Sequence, residues 1–337
     1  MNDYPPLPHR PGVEPSGPAA ELTTSDAARQ NSVFIGPHGL RPGWRLLVFV
    51  TIACLVAVVL GLILHFAIGG KNRSVAMTML TPLGLGASEA TILFVVMIAA
   101  LVMATIERRR FADYGLPLKA LGKDFWQGAL FGFLAISGTL LVISFLHGFR
   151  ITGVAIHGTT LVTATAAWSL TFLIVGLSEE FTFRGYPMFT LTTGMGFWPA
   201  ALVIAGLFAL AHAGNKGETA FGLVSVAFFS LLFCLFLQRT GDLWLAIGFH
   251  AGWDWGQTFF YGVPDSGVPP YHNLLSSNFS GPAWLTGGSV GPEASVFTPI
   301  ALAVVAILFA RAHRERKYQP ISAVRPRVVE DPTHSPL

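Results

Sequence analysis

Three groups of residues lie in apolar stretches of this chain, where their types and spacing suit acid–base chemistry. They are Glu179, Glu180 and Arg184; Phe208 and His212; and His250 and Asp254. An ionisable side chain in hydrocarbon is costly and is rarely placed there without a function. A carboxylate beside a histidine can deprotonate a water, and a second histidine can donate a hydrogen bond to a developing oxyanion. These residue types indicate hydrolysis of an amide bond.

The two adjacent glutamates are predicted to have different roles. Glu180 and Arg184 are four residues apart, so they share one face of a helix and can pair. Such a pair limits the cost of burying two charges, and a purely structural ion pair is an equally good interpretation. Glu179 points about 100° away from Glu180 on the helix and lacks that partner. Glu179 is therefore the candidate reactive carboxylate, and Glu180 the candidate support.

A helical hairpin would bring Glu179 and His212 to the same depth in a membrane. About 15 residues, roughly 22 Å of helix, separate Glu179 from a turn predicted at Gly194. A similar length of helix separates that turn from His212. The hairpin therefore predicts that the first two groups of residues meet.

The third group is predicted on a later helix. His250 and Asp254 are one turn apart on one face, and Gly248, Gly252 and Gly256 recur every four residues beside them. Small residues at this spacing permit the close approach of a neighbouring helix. His250 is predicted nearer the middle of its span than His212, so convergence requires a tilt or a break in the helix.

Composition identifies the elements that carry these residues as membrane-spanning helices. The chain has 337 residues, of which 52% are hydrophobic and 12% charged, with a mean hydropathy of +0.58. A soluble domain carries about twice that charged fraction. Apolar runs lie near 44–69, 84–106, 125–147, 159–178, 197–213, 220–238, 243–261 and 297–312. We predict an all-α transmembrane bundle of about eight spans, with the run at 197–213 short for a complete crossing.

The spans are predicted to form one domain between two tails. Residues 1–42 and 318–337 are rich in proline and polar residues and are predicted to be disordered. Residues 43–317 form the predicted transmembrane domain, with its motif core at 159–260. Basic clusters precede the first run, follow the second and follow the last, so all three are expected on the cytoplasmic side. We expect a multi-pass protein of the cell membrane with both termini cytoplasmic.

The three motifs together resemble those of a known protease family. Glu179-Glu180-x-x-x-Arg184, Phe208-x-x-x-His212 and His250-x-x-x-Asp254 are similar, in order, to the motifs of the CPBP (or Abi) intramembrane proteases. That family includes the type II CAAX prenyl endopeptidases and the bacteriocin-immunity-like proteins. The resemblance implies that Glu179 is the general base and that His212 helps it to hold the attacking water. It implies that His250, with residue 254, stabilises the oxyanion, while Glu180, Arg184 and Phe208 support the site.

Two features of the resemblance remain open in the sequence. The prenyl proteases have asparagine where this chain has Asp254, and an ionised carboxylate cannot donate a hydrogen bond. Asp254 must therefore be protonated, orient His250 or ligate something, and we favour the orienting role. Glu179, His212 and His250 are also candidate ligands for a divalent metal such as zinc, which usually has three protein ligands in a catalytic site. The sequence does not choose between a metal-bound water and a glutamate-activated one.

The predicted function is that of a membrane-embedded endopeptidase, with or without a bound metal, that cleaves a membrane-associated protein or peptide. We expect membrane lipid and that substrate as partners, and no nucleic acid. A proton-coupled transporter is the alternative, because intramembrane glutamate and histidine also build proton relays, although we find no inverted repeat. A non-catalytic membrane scaffold with the same polar core is the third hypothesis.

Overall fold

The computed structural model describes residues 33–36, 39–68 and 81–320, and it confirms an all-α membrane bundle. The helices are α1 (Pro42–Ile68), α2 (Pro82–Ile106), α3 (Leu121–Phe145), α4 (Gly158–Arg184), α5 (Tyr186–Met195), α6 (Phe197–His212), α7 (Ala220–Thr240), α8 (Trp244–Asp254), α9 (Ala283–Thr286) and α10 (Phe297–Ala312). The strands are β1 (Ile35–Gly36), β2 (Gly39–Leu40), β3 (Phe149–Val154) and β4 (Leu275–Phe279). Of the predicted tails at 1–42 and 318–337, residues 1–32, 37–38 and 321–337 lie outside the described residues.

The helices follow the apolar runs of the sequence. Within the described residues, five segments are long and apolar enough to cross a membrane, and they are Pro42–Ala67, Pro82–Ile106, Leu118–Phe145, Gly158–Met195 and Ala220–Thr240. The apolar helices α6 and α10 are shorter, and α8 continues into a π-helical turn, Trp255–Phe260. The protein is thus an integral, multi-pass membrane protein.

The helix that carries the glutamates is interrupted at Gly185, between α4 and α5. A side chain at this position would overlap the carbonyl oxygen of Phe181, and Pro187 follows at the start of α5. Proline is well tolerated in a first helical turn because its missing N–H has no partner there. The chain then turns at Gly196 into α6, so α4–α5 and α6 form the predicted hairpin.

Glycines bring α3 and α8 into backbone contact. A Cβ on Gly248 or Gly252 would overlap the carbonyl oxygen of Phe125 or Ala129, respectively. The contact is reciprocal, since Gly128 and Gly132 of α3 meet the carbonyl oxygens of Leu245 and Phe249. This interface follows from the glycine spacing and fixes α8 so that its opposite face presents His250 and Asp254 to the site.

A methyl group inserted into this interface should destabilise the protein. We expect Gly132→Ala to lower the free energy of unfolding by about 1–3 kcal/mol or more, because two backbones must separate. Gly138→Ala is the matched control on α3, since nothing lies within 4 Å of its added Cβ. That control should be neutral or should stabilise the helix by about 0.5–1 kcal/mol. Thermal unfolding of the detergent-solubilised proteins would test this, and equal melting temperatures for the two variants would contradict it.

A buried glutamate ties together the helix ends near Arg184. Glu107 accepts hydrogen bonds from Arg45 at 2.7 and 2.8 Å and from the hydroxyl groups of Tyr186 at 2.7 Å and Tyr114 at 3.1 Å. Arg109 lies 3.3 Å from the same carboxylate. These contacts join α1, the end of α2 and the start of α5.

The segment after α8 folds back over the bundle. Strand β4 pairs antiparallel with β3, from Phe149 opposite Phe279 to Val154 opposite Leu275. Gln257 of the π-helical turn donates to the carbonyl oxygen of Pro264 at 2.8 Å and accepts from Trp253 at 2.7 Å. These bonds hold the residues after Pro264 against the end of α8.

Candidate active site

The second glutamate is paired and entirely buried. Glu180 Oε1 lies 3.1 Å from Arg184 Nη1, and both side chains have no exposed area. The guanidinium carbon of Arg184 lies 4.3 Å from the centroid of the Phe208 ring and 5.4 Å from that of Phe233. Aromatic faces stabilise a cation in this geometry. The predicted ion pair between Glu180 and Arg184 is therefore formed, and the Phe208 ring contacts its guanidinium group.

Glu180 also binds His250, a contact that the sequence did not predict. His250 Nδ1 donates to Glu180 Oε1 at 3.0 Å across two helices, and the His250 ring stacks on Phe233 at 5.5 Å. A carboxylate on one ring nitrogen fixes the orientation of an imidazole and stabilises its protonated form. Asp254 was favoured for this role, but its Oδ2 lies 3.4 Å from His250 Nε2 without a hydrogen bond of good geometry. Glu180 therefore orients His250.

The first glutamate faces both histidines. Glu179 Oε2 lies 3.9 Å from His212 Nε2 and 3.7 Å from His250 Nε2. Its side chain is 24% exposed, whereas that of Glu180 is inaccessible. The His212 ring is held by a 2.8 Å hydrogen bond from Nδ1 to the carbonyl oxygen of Phe208, so its Nε2 is directed to Glu179 as an acceptor. Separations of this length exceed a direct hydrogen bond and suit a bridging water.

These side chains line a cavity of about 120 Å³ that reaches from α4 to the segment after α8. Its polar residues are Glu179, His212, His250, Thr258, Asp254, Asp265, Ser266 and Glu293. Its walls are largely aromatic and include Trp168, Phe172, Phe208, Phe229, Phe233 and Trp253. The cavity therefore contains a small group of acidic and basic side chains, and the rest of its wall is mainly apolar.

Two acidic residues of the cavity were missed by the sequence reasoning. Asp265 and Glu293 lie outside the spans, in a loop rich in glycine and proline, where an acidic residue is common and does not indicate a functional site. Asp254, Asp265 and Glu293 place one carboxylate oxygen each within 4.8 Å of one another. Burial raises the pKa of Asp265, and burial with the neighbouring Asp265 and Asp254 raises the pKa of Glu293 well above its usual range.

A third residue, Glu89, was also missed, although its position in an apolar run could have identified it. Glu89 is the only acidic residue of the apolar run at 84–106, and in the structure it is half-buried on α2. It approaches Ser178 and interacts electrostatically with Glu179, His212 and His250. An isolated carboxyl group in a span is a functional candidate by the same argument that selected Glu179.

The predicted zinc ligands do not form a compact ligand set in this arrangement. Among the described residues, the group of three with ligand atoms within 4.8 Å of one another is Asp254, Asp265 and Glu293, and not Glu179, His212 and His250. Three ligands at about 2.0–2.2 Å from one ion must lie closer together than the two imidazoles do. Three carboxyl groups without an imidazole are not a donor set typical of catalytic zinc. The glutamate and histidines therefore do not fit that ion as they stand.

Comparison with known proteins supports the family resemblance. Residues 160–256 match the family model described as "Type II CAAX prenyl endopeptidase Rce1-like". The match runs from α4 to the π-helical turn and contains the three motifs, from Glu179 to Asp254. No curated protein matched the chain.

Proposed function

We propose that this chain hydrolyses a peptide bond with a water activated by Glu179. The match of residues 160–256 to the Rce1-like type II CAAX prenyl endopeptidase model supports this proposal. The family supports a CAAX-type intramembrane protease in general, acting on a peptide or protein at the membrane. The position of Glu179 Oε2, between two imidazole Nε2 atoms at 3.9 and 3.7 Å, carries the more specific proposal.

The first chemical step is attack by water on the scissile carbonyl carbon. Glu179 takes one proton of a water whose other O–H donates to His212 Nε2, and the new C–O bond leaves the negative charge on the carbonyl oxygen. The oxyanion receives a hydrogen bond from the Nε2–H of His250 in its imidazolium form. Glu180 favours that form, because its negative charge lies 3.0 Å from Nδ1 and stabilises a positively charged ring.

The second step breaks the C–N bond. The proton held by Glu179 passes to the departing nitrogen, which leaves as an amine, and the carbonyl re-forms as a carboxylic acid. Glu179 returns to its carboxylate form, so it serves as base and then as acid. Glu180, Arg184 and Phe208 do not touch the reacting atoms in this scheme and hold His250 and α4 in place.

The aromatic walls support a substrate with apolar side chains or an apolar anchor. Trp168 and Phe172 from α4 and Phe229 and Phe233 from α7 face the cavity beside the acid–base centre. Apolar pockets with a few convergent polar groups are typical of small-molecule and peptide sites.

Both termini are proposed to lie on the cytoplasmic face of the cell membrane, as the basic clusters indicate.

Cleavage of a defined peptide in proteoliposomes tests the proposal. The probes are an internally quenched peptide with an S-farnesylated cysteine in a C-terminal CAAX sequence and the same peptide without the farnesyl group. We expect fluorescence release by the wild-type protein and cleavage products identified by mass spectrometry. Absence of cleavage of both probes, together with proton flux in the same vesicles, would favour the transporter hypothesis and contradict a peptidase.

A mutation of His212 separates water positioning from substrate binding. We expect His212→Phe to lower kcat by about 10²–10⁴-fold, the range for loss of a group that assists proton transfer, with little change in KM. The control is His157→Phe, at an exposed position with extended backbone outside the cavity lining. Steady-state kinetics on the cleaved peptide would measure the effect, and a change confined to KM would assign His212 to substrate binding.

A further inference from the structure

An open apolar groove runs between α3 and α10, away from the proposed chemistry. It has a volume of about 610 Å³ and shares no lining residue with the cavity that contains Glu179. Its lining residues recur every three or four positions, from Gln127 to Val142 on α3 and from Phe297 to His313 along α10. The groove therefore follows about 22 Å of helix, which exceeds the depth of one lipid leaflet, about half of a 30 Å hydrocarbon core.

Small side chains create this groove and keep it apolar. Ala135 and Gly138 on α3 and Ala301 on α10 line it, and a Cβ on Gly138 would meet no atom within 4 Å. The hydroxyl group of Thr139 donates to the carbonyl oxygen of Ala135 at 3.0 Å, so its proton is already used. The rims are large apolar side chains that are at least 50% exposed, namely Leu134, Ile300, Val304 and Leu308. The middle of the groove is therefore suited to a hydrocarbon chain.

The polar residues of the groove lie at one end, where α3 begins and α10 ends. Gln127 and His313 line the groove there. Lys123 precedes Gln127 by one helical turn, and Arg311 follows Val304 by two turns, so both lie along the helix faces that form the groove. Both are exposed, and among the described residues neither forms a salt bridge. This end of the groove therefore has positive charge that no carboxylate offsets directly.

The segment after α10 adds positive charge beside the same end. Arg314, Arg316 and Lys317 are all exposed there. The segment is held against the end of α7, because the backbone N–H of Lys317 donates to the carbonyl oxygen of Gln238 at 3.1 Å. Basic side chains at a membrane surface attract anionic lipids over a distance of about a Debye length.

The acidic residues at this end do not line the groove. Asp124 and Asp242 interact with each other beside the turn that joins α7 to α8. Glu315 is exposed and lies between two arginines in the sequence. None of the three is a lining residue. An anion beside Lys123 and Arg311 would therefore meet a net positive charge.

A lipid fits this surface better than protein does. Copies of a membrane protein share one orientation, so a symmetric contact through the groove would place two basic ends side by side. Like charges at a contact oppose association, whereas a phosphate would relieve their repulsion. Residues 321–337 follow this end of α10, but their charged residues and prolines do not suit an apolar groove at membrane depth.

We propose that the groove between α3 and α10 binds an anionic phospholipid, with an acyl chain along the groove and the phosphate beside Lys123 and Arg311. Basic pockets between transmembrane helices are suited to anionic head groups. The amide group of Gln127 is a further donor at the level where the chain joins the head group. The site is separate from the acid–base cavity, so the inference does not depend on the proposed peptidase function.

Lipid binding to the delipidated full-length protein in detergent tests the proposal. The probes are dioleoylphosphatidylglycerol and dioleoylphosphatidylcholine, which have the same acyl chains and differ in head-group charge. Native mass spectrometry measures how many molecules of each lipid remain bound as its concentration is raised. We expect a single phosphatidylglycerol to bind about tenfold more tightly than phosphatidylcholine, because two basic side chains contact only the anionic head group. Equal affinities for the two lipids would overturn the inference.

A variant that fills the groove tests the place of the acyl chain. We expect Gly138→Phe to lose the tight binding of phosphatidylglycerol. Gly61→Phe on α1 is the matched control, since nothing lies within 4 Å of an added Cβ at either position. The control should bind the lipid as the wild type does. Unchanged binding by Gly138→Phe would overturn the inference, as would a lipid-free dimer of the wild type that dissociates in this variant.

A second variant tests the head group and leaves the groove intact. We expect K123Q/R311Q to bind phosphatidylglycerol within about threefold of phosphatidylcholine, because the charge preference depends on these two residues. R108Q/R150Q removes the same number of exposed charges elsewhere and should keep the preference. Equal losses in the two double variants would assign the preference to overall charge and contradict a site.

The melting temperature gives a second measurement of the same binding. A ligand that binds the folded state stabilises it, so phosphatidylglycerol should raise the melting temperature of the wild type and of both controls. It should raise that of K123Q/R311Q no more than phosphatidylcholine does. If Gly138→Phe does not fold, this comparison decides the question, and an equal rise in K123Q/R311Q and the wild type would overturn the inference.

Discussion

Replacing Glu179 with glutamine is expected to abolish peptide cleavage, with kcat lowered by about 10²–10⁴-fold or more. Glutamine keeps the size of the side chain and can still hydrogen-bond a water, but it cannot take the proton that the attack releases. Among the described residues, Glu179 is the carboxylate that lies within 4 Å of both imidazole Nε2 atoms, at 3.9 and 3.7 Å, whereas Asp254 lies 3.4 Å from that of His250 alone. KM should change little, because the loss occurs in the chemical step.

The control for this result is Glu315→Gln, a charge change on an exposed residue beyond α10. The two variants should have the same melting temperature and elute alike from a sizing column, since Glu179 makes no direct hydrogen bond in the described structure. Cleavage by Glu179→Gln at more than about a tenth of the wild-type rate would remove Glu179 as the base. Glu89, which lies near it, would then be the next carboxyl group to replace.

Replacing Arg184 with methionine is expected to destabilise the protein by about 3–5 kcal/mol. The change leaves Glu180 as an uncompensated charge with no exposed area, although His250 still donates to it. It also removes the guanidinium that lies 4.3 Å from the Phe208 ring centroid. Thermal unfolding of the purified protein should show a large fall in melting temperature and a low yield in membranes.

The double variant E180Q/R184M separates the two functions of this pair. It removes both charges, so stability should recover towards the wild type, because replacing a buried ion pair by neutral groups is often tolerated. Activity should not recover with it, since a glutamine oxygen stabilises the His250 imidazolium less than a carboxylate does. A double variant that regains both stability and kcat would show that Glu180 has a structural role alone.

Most of the helical architecture could be predicted because it depends on local properties. The apolar runs predict where the backbone must satisfy its own hydrogen bonds in lipid, and the helices lie on those runs. The Glu180–Arg184 pair follows from a four-residue spacing within one helix, and the bond from His212 to the carbonyl of Phe208 has the same local origin. The glycine series on α8 predicts a close helix contact, and α3 supplies it.

The partner of each side chain across the bundle could not be predicted. His250 and Glu180 are 70 residues apart, and only the tilt and contacts of α8 bring Nδ1 to 3.0 Å from the carboxylate. The orienting role expected for Asp254 passes to Glu180 for that reason. Asp265 and Glu293 have no periodicity or motif, and they reach the site because Gln257 and Ser266 hold the folded-back segment in place.

The amino-acid sequence alone determined that this chain spans a membrane and where its ionisable residues interrupt the apolar runs. It also predicted that Glu179 and Glu180 point in different directions and have different roles, because helical geometry is the same in every fold. Only the tertiary structure decided which carboxyl groups surround Asp254 and His250, because these groups come from segments that are distant in the sequence. The proton affinity of a buried side chain depends on such neighbours. Asp254 is an unusual residue in the sequence because of its type, and in the structure because Asp265 and Glu293 each place a carboxylate oxygen within 4.8 Å of one of its own.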